Sequence, residues 1–374
     1  SEVTAGFMWQ KTTRESKKYQ LRGEILSFIP VEKNVEVMLV TITNTGRMAQ
    51  TVTPTAAIPL YGRSADNIRD HRHVTSLLHR IETTDIGVLV TPTLSFDERG
   101  HQVNHMTYYC VGWSGNGEKP VDFYPTAEDF VGEGGNFERP YAIVKNAEGV
   151  KAGTRIEGLE AVGGLHFSEV TLEPEEECSY LIFTGITEDI QEIRNLSKTY
   201  TTREMVLEEL EKTKAYWQEK VNVAYHTGDS DFNQFMHWVS FQPILRRIYG
   251  CSFLPHHDYG KGGRGWRDLW QDCLALLIMN PDGVRQMLLD NFAGVRVDGS
   301  NATIIGSKQG EFVADRNHIT RVWMDHGVWP MITTKFYIDQ TGDLELLEKE
   351  AAYFKDKQIA RGTRTDTLWD ESYG

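Results

Sequence analysis

Through the first half of the chain, mostly apolar and β-branched runs read as strands whose side chains fall into two sets with a period of two. Val35, Val37, Leu39, Thr41 and Thr43 alternate with Glu36, Met38, Val40 and Ile42, and Asn44-Thr45-Gly46 closes the run, which reads as a strand ending in a turn. Similar runs recur at Ile86–Leu94, Met106–Trp113, Leu165–Leu172 and Ser179–Thr184. Gly-, Pro- and Asp-rich punctuation separates them, as in Ser114-Gly-Asn-Gly and Gly132-Glu-Gly-Gly. Short strands with long loops and no interleaved helices predict an antiparallel β-sandwich over residues 1–185, not a βαβ sheet.

Near Ile186 the period lengthens. Thr201 and Glu204 have capping-box spacing, and Val206, Leu210, Trp217 and Val221 then fall on one helical face among charged residues. This predicts a solvated helical linker over 186–230. From Asp231 onward the pattern stays helical, with one stripe at Phe232, Phe235 and Val239 and another at Leu269, Cys273, Leu276 and Leu277. Asp343 is placed to cap a helix over Leu344–Phe354. Strands first and helices afterwards predict the α+β class with segregated domains, the helical one occupying 231–374.

Length and composition narrow the function. At about 150 residues per domain, 374 residues make two to three domains. A net charge of −14, from 53 acidic against 39 basic residues, opposes binding of nucleic acid through a broad basic face. No apolar run reaches the ~18 residues of a membrane helix, so no membrane partner is expected. Trp (9), Tyr (15) and Phe (16) are numerous; such rings stack well on sugars and also fill cores. Cys110, Cys178, Cys251 and Cys273 lie far apart with no CxxC pair, which predicts free thiols in a reducing, cytoplasmic compartment.

The richest chemistry lies in Gly260-Lys-Gly-Gly-Arg264-Gly-Trp266-Arg267-Asp268-Leu-Trp270-Gln271-Asp272. Glycines here let the backbone approach a ligand closely, and the segment then enters a helix on which Asp268 and Asp272 lie one turn apart on one face. Arg264 and Arg267 stand beside them, and guanidinium forks with carboxylates suit vicinal hydroxyls or a phosphate. On residue types alone, an Arg–Asp pair that staples two helices explains the segment equally well. The Gly-Lys-Ser/Thr ending of a phosphate loop and the Gly-x-Ser-x-Gly elbow of serine hydrolases are both missing. His256-His257-Asp258 invites a metal reading, but adjacent histidines cannot share one helical face and no third ligand stands at a fixed spacing, so no metal is expected. Asp315-Arg316-Asn317-His318 reads as a polar loop facing the site.

The glycine-loop segment resembles the motif of the glycoside phosphorylases in glycoside hydrolase family 94. Downstream, Thr320-Arg-Val-Trp-Met-Asp325-His-Gly-Val-Trp329-Pro330 and Tyr337-Ile-Asp-Gln-Thr-Gly342-Asp343 are similar to a second passage of that family. The wording around Trp266–Asp272, with Val297-Asp-Gly-Ser-Asn-Ala-Thr, is most similar to the 1,2-β-oligoglucan phosphorylase branch. In the disaccharide phosphorylases the first Arg precedes the motif Asp by six or seven residues, whereas Arg264 precedes Asp268 by four; Arg264 or Lys261 then fills that place.

The resemblance implies a β-sandwich, a helical linker and the first part of an α/α six-fold barrel. It implies inverting phosphorolysis of β-linked, β-1,2 above all, gluco-oligosaccharides to glucose 1-phosphate and a shortened oligosaccharide. An inverting hydrolase on the same plan, or a non-catalytic carbohydrate-binding segment, are the alternatives. Arg267 and Asp268 would hold the non-reducing-end sugar, Arg264 the sugar or the phosphate, and Asp325 is a further substrate-binding candidate or a partner of Arg321. Inorganic phosphate would be co-substrate, with no cofactor. The family's general acid stands in a Gly-Asp-Trp-Asn-Asp-like stretch with no counterpart here, so the acid is expected beyond Gly374. The barrel would then be completed by further residues of the same chain or by a second chain, and the stripe of Leu269, Cys273, Leu276 and Leu277 would lie open without that cover.

Overall fold

The computed structural model describes residues 1–31, 33–62, 72–97, 100–251, 263–314, 323–354, 358–360 and 364–366. The chain divides into two compact units, Ser1–Trp217 and Gln218–Gly374, so the helical stretch predicted as a linker contributes its residues up to Trp217 to the first.

Among the described residues, the first unit is built on a nine-stranded sheet. Its spatial order is Glu2–Gly6, Trp9–Ser16, Leu21–Phe28, Val35–Asn44, Glu177–Thr187, Thr107–Ser114, Gly87–Val90, Arg80–Thr83 and Arg155–Glu157. A three-stranded sheet of Asp122–Thr126, Ala161–His166 and Thr55–Leu60 accompanies it. Pairing is antiparallel throughout both sheets, as the sequence predicts. Short helices α1 (Arg72–Ser76), α2 (Ala127–Val131) and α3 (Tyr141–Lys145) lie in the connections, and α4 (Ile190–Thr199) and α5 (Arg203–Lys220) follow the last long strand.

The large sheet separates two cores. On one face Leu60, Phe123, Ala161 and Leu165 meet Ile81, Val88, Val90, Tyr180 and Ile182, with Met38, Val40 and Ile42 packed against them. On the other, Val35, Val37, Leu39, Val111, Leu181 and Phe183 pack on Ile193, Leu196, Tyr200, Val206 and Leu210 from the helical segment. Trp113 locks this second core: its Nε1 donates to the Tyr200 carbonyl at 2.9 Å, and its ring stacks on Phe183 at 4.8 Å. One alternate set of the Val35–Asn44 strand is therefore buried, while Met38, Val40 and Ile42 of the other set are half-buried and Glu36 is exposed. The predicted Leu165–Leu172 strand is in fact two, Ala161–His166 and Val170–Leu172, in different sheets. The start of α5 also shifts by one residue, because Thr202, not Thr201, bonds the first turn through the Val206 and Met205 amides.

The second unit holds α6 (Ser230–Tyr249), α7 (Trp266–Met279), α8 (Val284–Phe292) and α9 (Val328–Thr341). Leu269, Cys273, Leu276 and Leu277 are all buried, contrary to the expectation of an open stripe, because α6, α8 and α9 pack around α7. The exposed stripe is the other one: Phe232, Phe235 and Val239 lie on the outer face of α6, while Phe241, Ile244 and Leu245 face inward. Asp343 does cap, its Oδ1 accepting from the Leu346 amide at 3.2 Å, but the helix is a 3-10 turn ending at Glu348 rather than one running to Phe354.

All four cysteines are free. Burial pushes the Cys110 and Cys273 thiols up to about 12, so neither presents a thiolate to a reagent at about pH 8. Iodoacetamide is expected to spare both in the folded protein and to label both in urea, as read by peptide mass spectrometry. Rapid native labelling of either would contradict the packing.

Candidate functional site

The second unit builds its site around the entry to α7. Arg264–Gly265 pairs with Ile304–Ile305, which pairs in turn with Phe312–Val313, and the Trp266 amide donates to the Thr303 carbonyl at 3.0 Å. This small sheet fixes where the helix begins. Gly265 is its N-cap and brings no capping side chain, so Asp268 in the first turn supplies the negative charge that a helix N-terminus favours. Trp266 and Trp270 are fully buried with ring centroids 5.6 Å apart. Trp266 Nε1 donates to the His326 carbonyl at 3.0 Å, and Thr333 Oγ1 donates to the Trp270 carbonyl at 3.0 Å. These two bonds tie the turn at Asp325–His326 and helix α9 to α7.

That tie brings Arg267 to Asp325, which lie 58 positions apart. Arg267 Nη2 donates to Asp325 Oδ1 at 2.9 Å, and its Nε lies 2.5 Å from Oδ2 as an ion-pair contact outside hydrogen-bond alignment. Trp329 Nε1 donates to the same Oδ2 at 3.0 Å. The guanidinium and the indole together hold the Asp325 carboxyl well below the usual carboxylate range. Both oxygens of Asp325 are engaged, so its evident work is to aim Arg267 and Trp329. His326 beside it is buried, and burial lowers its imidazole.

Arg264 points elsewhere. Its Nη2 donates to the Arg247 carbonyl at 2.7 Å and its Nε to the Arg246 carbonyl at 3.3 Å, capping the last turn of α6, where a cation also meets the negative end of the helix dipole. Arg246 in turn grips Asp272 with both edges, Nε to Oδ2 at 2.7 Å and Nη2 to Oδ1 at 2.5 Å. The carboxylate raises Arg246 above its usual range, and burial pushes Asp272 up against the pull of Arg246; the bidentate geometry decides for the charged pair. Arg247 closes the far end of α7 through the Asn280 and Asp282 carbonyls, each at 3.1 Å.

Asp268 stands apart from these pairs. It is half-buried and makes no hydrogen bond or ion pair among the described residues, although Arg246, Asp272, Cys251 and His326 all feel its charge. An acceptor-only carboxylate on the rim of an Arg–Asp–Trp cluster is suited to hold hydroxyl groups. Arg264, Arg267, Asp268 and Asp325 thus lie in one unit, but only Arg267 and Asp325 meet directly. The sequence reading missed Arg246, although two arginines just before Gly250 are a helix-ending signal. Lys261, His256, His257, Asp258, Arg321 and Asp315–His318 lie outside the described residues. Among the described residues no group of His, Cys, Asp or Glu could hold a metal ion, and no helix is long and apolar enough to cross a membrane. Val297-Asp-Gly-Ser-Asn forms a tight turn in which the buried Arg296 donates to the Asn301 carbonyl at 2.7 Å, with Gly299 at φ +82°.

Two family descriptions match this chain. Residues 1–203 match the glycosyl hydrolase 94 supersandwich domain, and residues 216–368 match the glycosyl hydrolase 94 superfamily catalytic domain. The class is therefore a supersandwich protein with a glycosyl hydrolase catalytic domain. The chain belongs to glycosyl hydrolase family 94. It is 24% identical over 268 residues to a cyclic beta-(1,2)-glucan synthase of Rhizobium meliloti, covering 68% of this chain and 8% of that protein. It is 25% identical over 239 residues to a 3-O-beta-D-glucopyranosyl-beta-D-glucuronide phosphorylase of Paenibacillus borealis, covering 63% of this chain and 29% of that one. The chain thus spans less than a third of either curated relative. A solved bacterial glucoamylase complexed with acarbose aligns with a TM-score of 0.46 at 10% identity, covering 88% of this chain and 46% of that one.

Proposed function

We propose that this chain serves an inverting glycoside phosphorylase acting on β-linked gluco-oligosaccharides, β-1,2-linked ones above all, with inorganic phosphate as co-substrate and no further cofactor. The observation that carries the reading is Asp268: a carboxylate without a described partner, beside an Arg267 fork held in place by Asp325 and Trp329. Family membership supports glycoside chemistry, one relative is named a phosphorylase, and the other's name contains a β-(1,2)-glucan. Free thiols support a reducing, cytoplasmic setting.

In this reading a phosphate oxygen attacks the anomeric carbon as the glycosidic bond breaks, and a protonated carboxyl delivers its proton to the departing oxygen. Phosphate is already an anion, so the attack needs no general base. Asp268 accepts hydrogen bonds from hydroxyls of the non-reducing-end glucose, and Arg267 donates to its oxygens. Arg264 acts from below, by fixing the end of α6 against the start of α7. No described residue is assigned as the acid.

Incubating the full-length protein, which brings the general acid expected beyond Gly374, with β-1,2-gluco-oligosaccharides is expected to yield glucose 1-phosphate only when phosphate is present. Free glucose formed at the same rate without phosphate would establish hydrolysis instead. Calorimetric binding of the oligosaccharide with turnover of neither kind would point to a carbohydrate-binding role.

A further inference from the structure

Asp268 and Asp272 are a turn apart on one face of α7, at a spacing that sets their Cβ atoms about 5–6 Å from each other. Arg246 reaches that face from the last turn of α6. Its backbone is anchored there, since its carbonyl accepts from the Gly250 amide at 2.8 Å and from Arg264 Nε at 3.3 Å. The guanidinium therefore has a short list of carboxylates within reach, and it has taken the deeper one. Asp272 is 6% exposed and receives both Nε and Nη2, while Asp268, nearer the solvent, receives neither. A guanidinium presents its paired donors as a fixed fork, so it cannot grip two carboxylates with the same edge.

We infer that Asp272 is a positioning residue: by occupying the Arg246 fork with both oxygens, it keeps that cation off Asp268 and leaves Asp268 open to sugar hydroxyls. The inference rests on the reading of Asp268 as a sugar-binding carboxylate. A half-buried cation deprived of its partner is costly to leave unpaired, and the nearest carboxylate along the same helical face is Asp268. Without Asp272, Arg246 turns one helical turn back and closes the site with an internal ion pair. Asp268 already acts on both members of the existing pair electrostatically, which places all three charges in one cluster.

The test has two parts with separate readouts. Thermal unfolding first measures the pairing without any sugar. Asp268→Asn alone is expected to lower the midpoint only slightly, by the loss of a first-turn charge, but added to Asp272→Asn it should lower the midpoint by more than that, because it removes the fallback partner. Additive effects in that cycle would overturn the inference. Calorimetry with a β-1,2-gluco-oligosaccharide then reads the site. Asp272→Asn is expected to weaken binding about tenfold or more, and Arg246→Gln in the same chain to restore most of it. A residue that merely supports the fold would leave the double variant as weak as the single one, and that result would also overturn the inference. Arg246→Lys offers a milder variant for both parts should Asp272→Asn not fold: a lysine keeps the charge without the fork, and unaltered sugar binding there would count against the inference. If the unaltered protein binds no oligosaccharide, the sugar-binding reading of Asp268 fails, and the unfolding cycle still decides on the pairing.

Discussion

In the full-length enzyme that supplies the general acid, Asp268→Asn is expected to lower kcat/KM for phosphorolysis by about a thousandfold or more, the loss of several kcal/mol of transition-state binding. A glucosyl ring distorted toward an oxocarbenium leans on hydrogen bonds to its hydroxyls, and these strengthen as positive charge develops. Asparagine keeps the shape of the side chain but replaces one acceptor oxygen by a donor and removes the charge. Because Asp268 has no hydrogen bond or ion pair among the described residues, the change should cost stability no more than about 1 kcal/mol, the worth of a first-turn charge at a helix N-terminus. Loss of activity and retention of fold together separate a ligand-holding group from a structural one. The role is distinguished from that of an acid by the donor used. Phosphorolysis of a β-glucoside donor with an activated aryl leaving group, which needs no proton, should remain impaired in the variant. Full recovery with that donor would assign Asp268 to proton transfer instead.

Leu276→Ala is expected to destabilise the helical unit by about 2–5 kcal/mol, the range for emptying a filled core position. Leu276 is fully buried on α7, with Leu269, Cys273 and Leu277 beside it. The measurement is the shift of the urea midpoint followed by far-ultraviolet circular dichroism. A change within about 0.5 kcal/mol, as for a surface substitution, would mean that this stripe is open to solvent. The same change at Phe235, which is 61% exposed on α6, serves as the contrast and is expected to be nearly silent.

The period-two runs located the central strands because burial on alternate faces leaves a record in residue type. Val37 and Leu39 face one core and Met38 and Val40 the other. The strands Glu2–Gly6, Trp9–Ser16 and Leu21–Phe28 left no such record. Their residues are largely exposed or half-buried, and Lys11, Thr12, Thr13 and Arg14 carry no apolar alternation, although Thr13 pairs with both Glu2 and Glu24. Helical stripes were legible as helices but not as inner or outer faces. Phe232, Phe235 and Val239 have the composition of a core and yet lie outside, since only the neighbouring elements decide which stripe is covered.

At the site, sequence spacing put Asp268 and Asp272 on one face of a helix, and the structure gives them opposite circumstances. Asp272 is bound through both oxygens, and Asp268 has no described partner. What separates them is Arg246, a residue 26 positions before Asp272, and no local pattern reports such a distance. The meeting of Arg267 with Asp325 was hidden for the same reason. Arg264 looked like a ligand-binding cation from its glycine-rich surroundings, whereas its side chain donates to the carbonyls at the end of α6.

The cluster at the start of α7 also has an arithmetic of its own. Arg246, Arg264 and Arg267 stand against Asp268, Asp272 and Asp325, so within a strongly acidic chain these six side chains sum to zero. A neutral ligand that docks on them exchanges no net charge with the medium, and ions in the buffer have little long-range attraction to screen. If a glucosyl residue binds at this place, as proposed, its affinity is accordingly expected to be indifferent to ionic strength. A phosphate dianion finds no surplus cation among the six, and the field that draws it in must come from groups other than these.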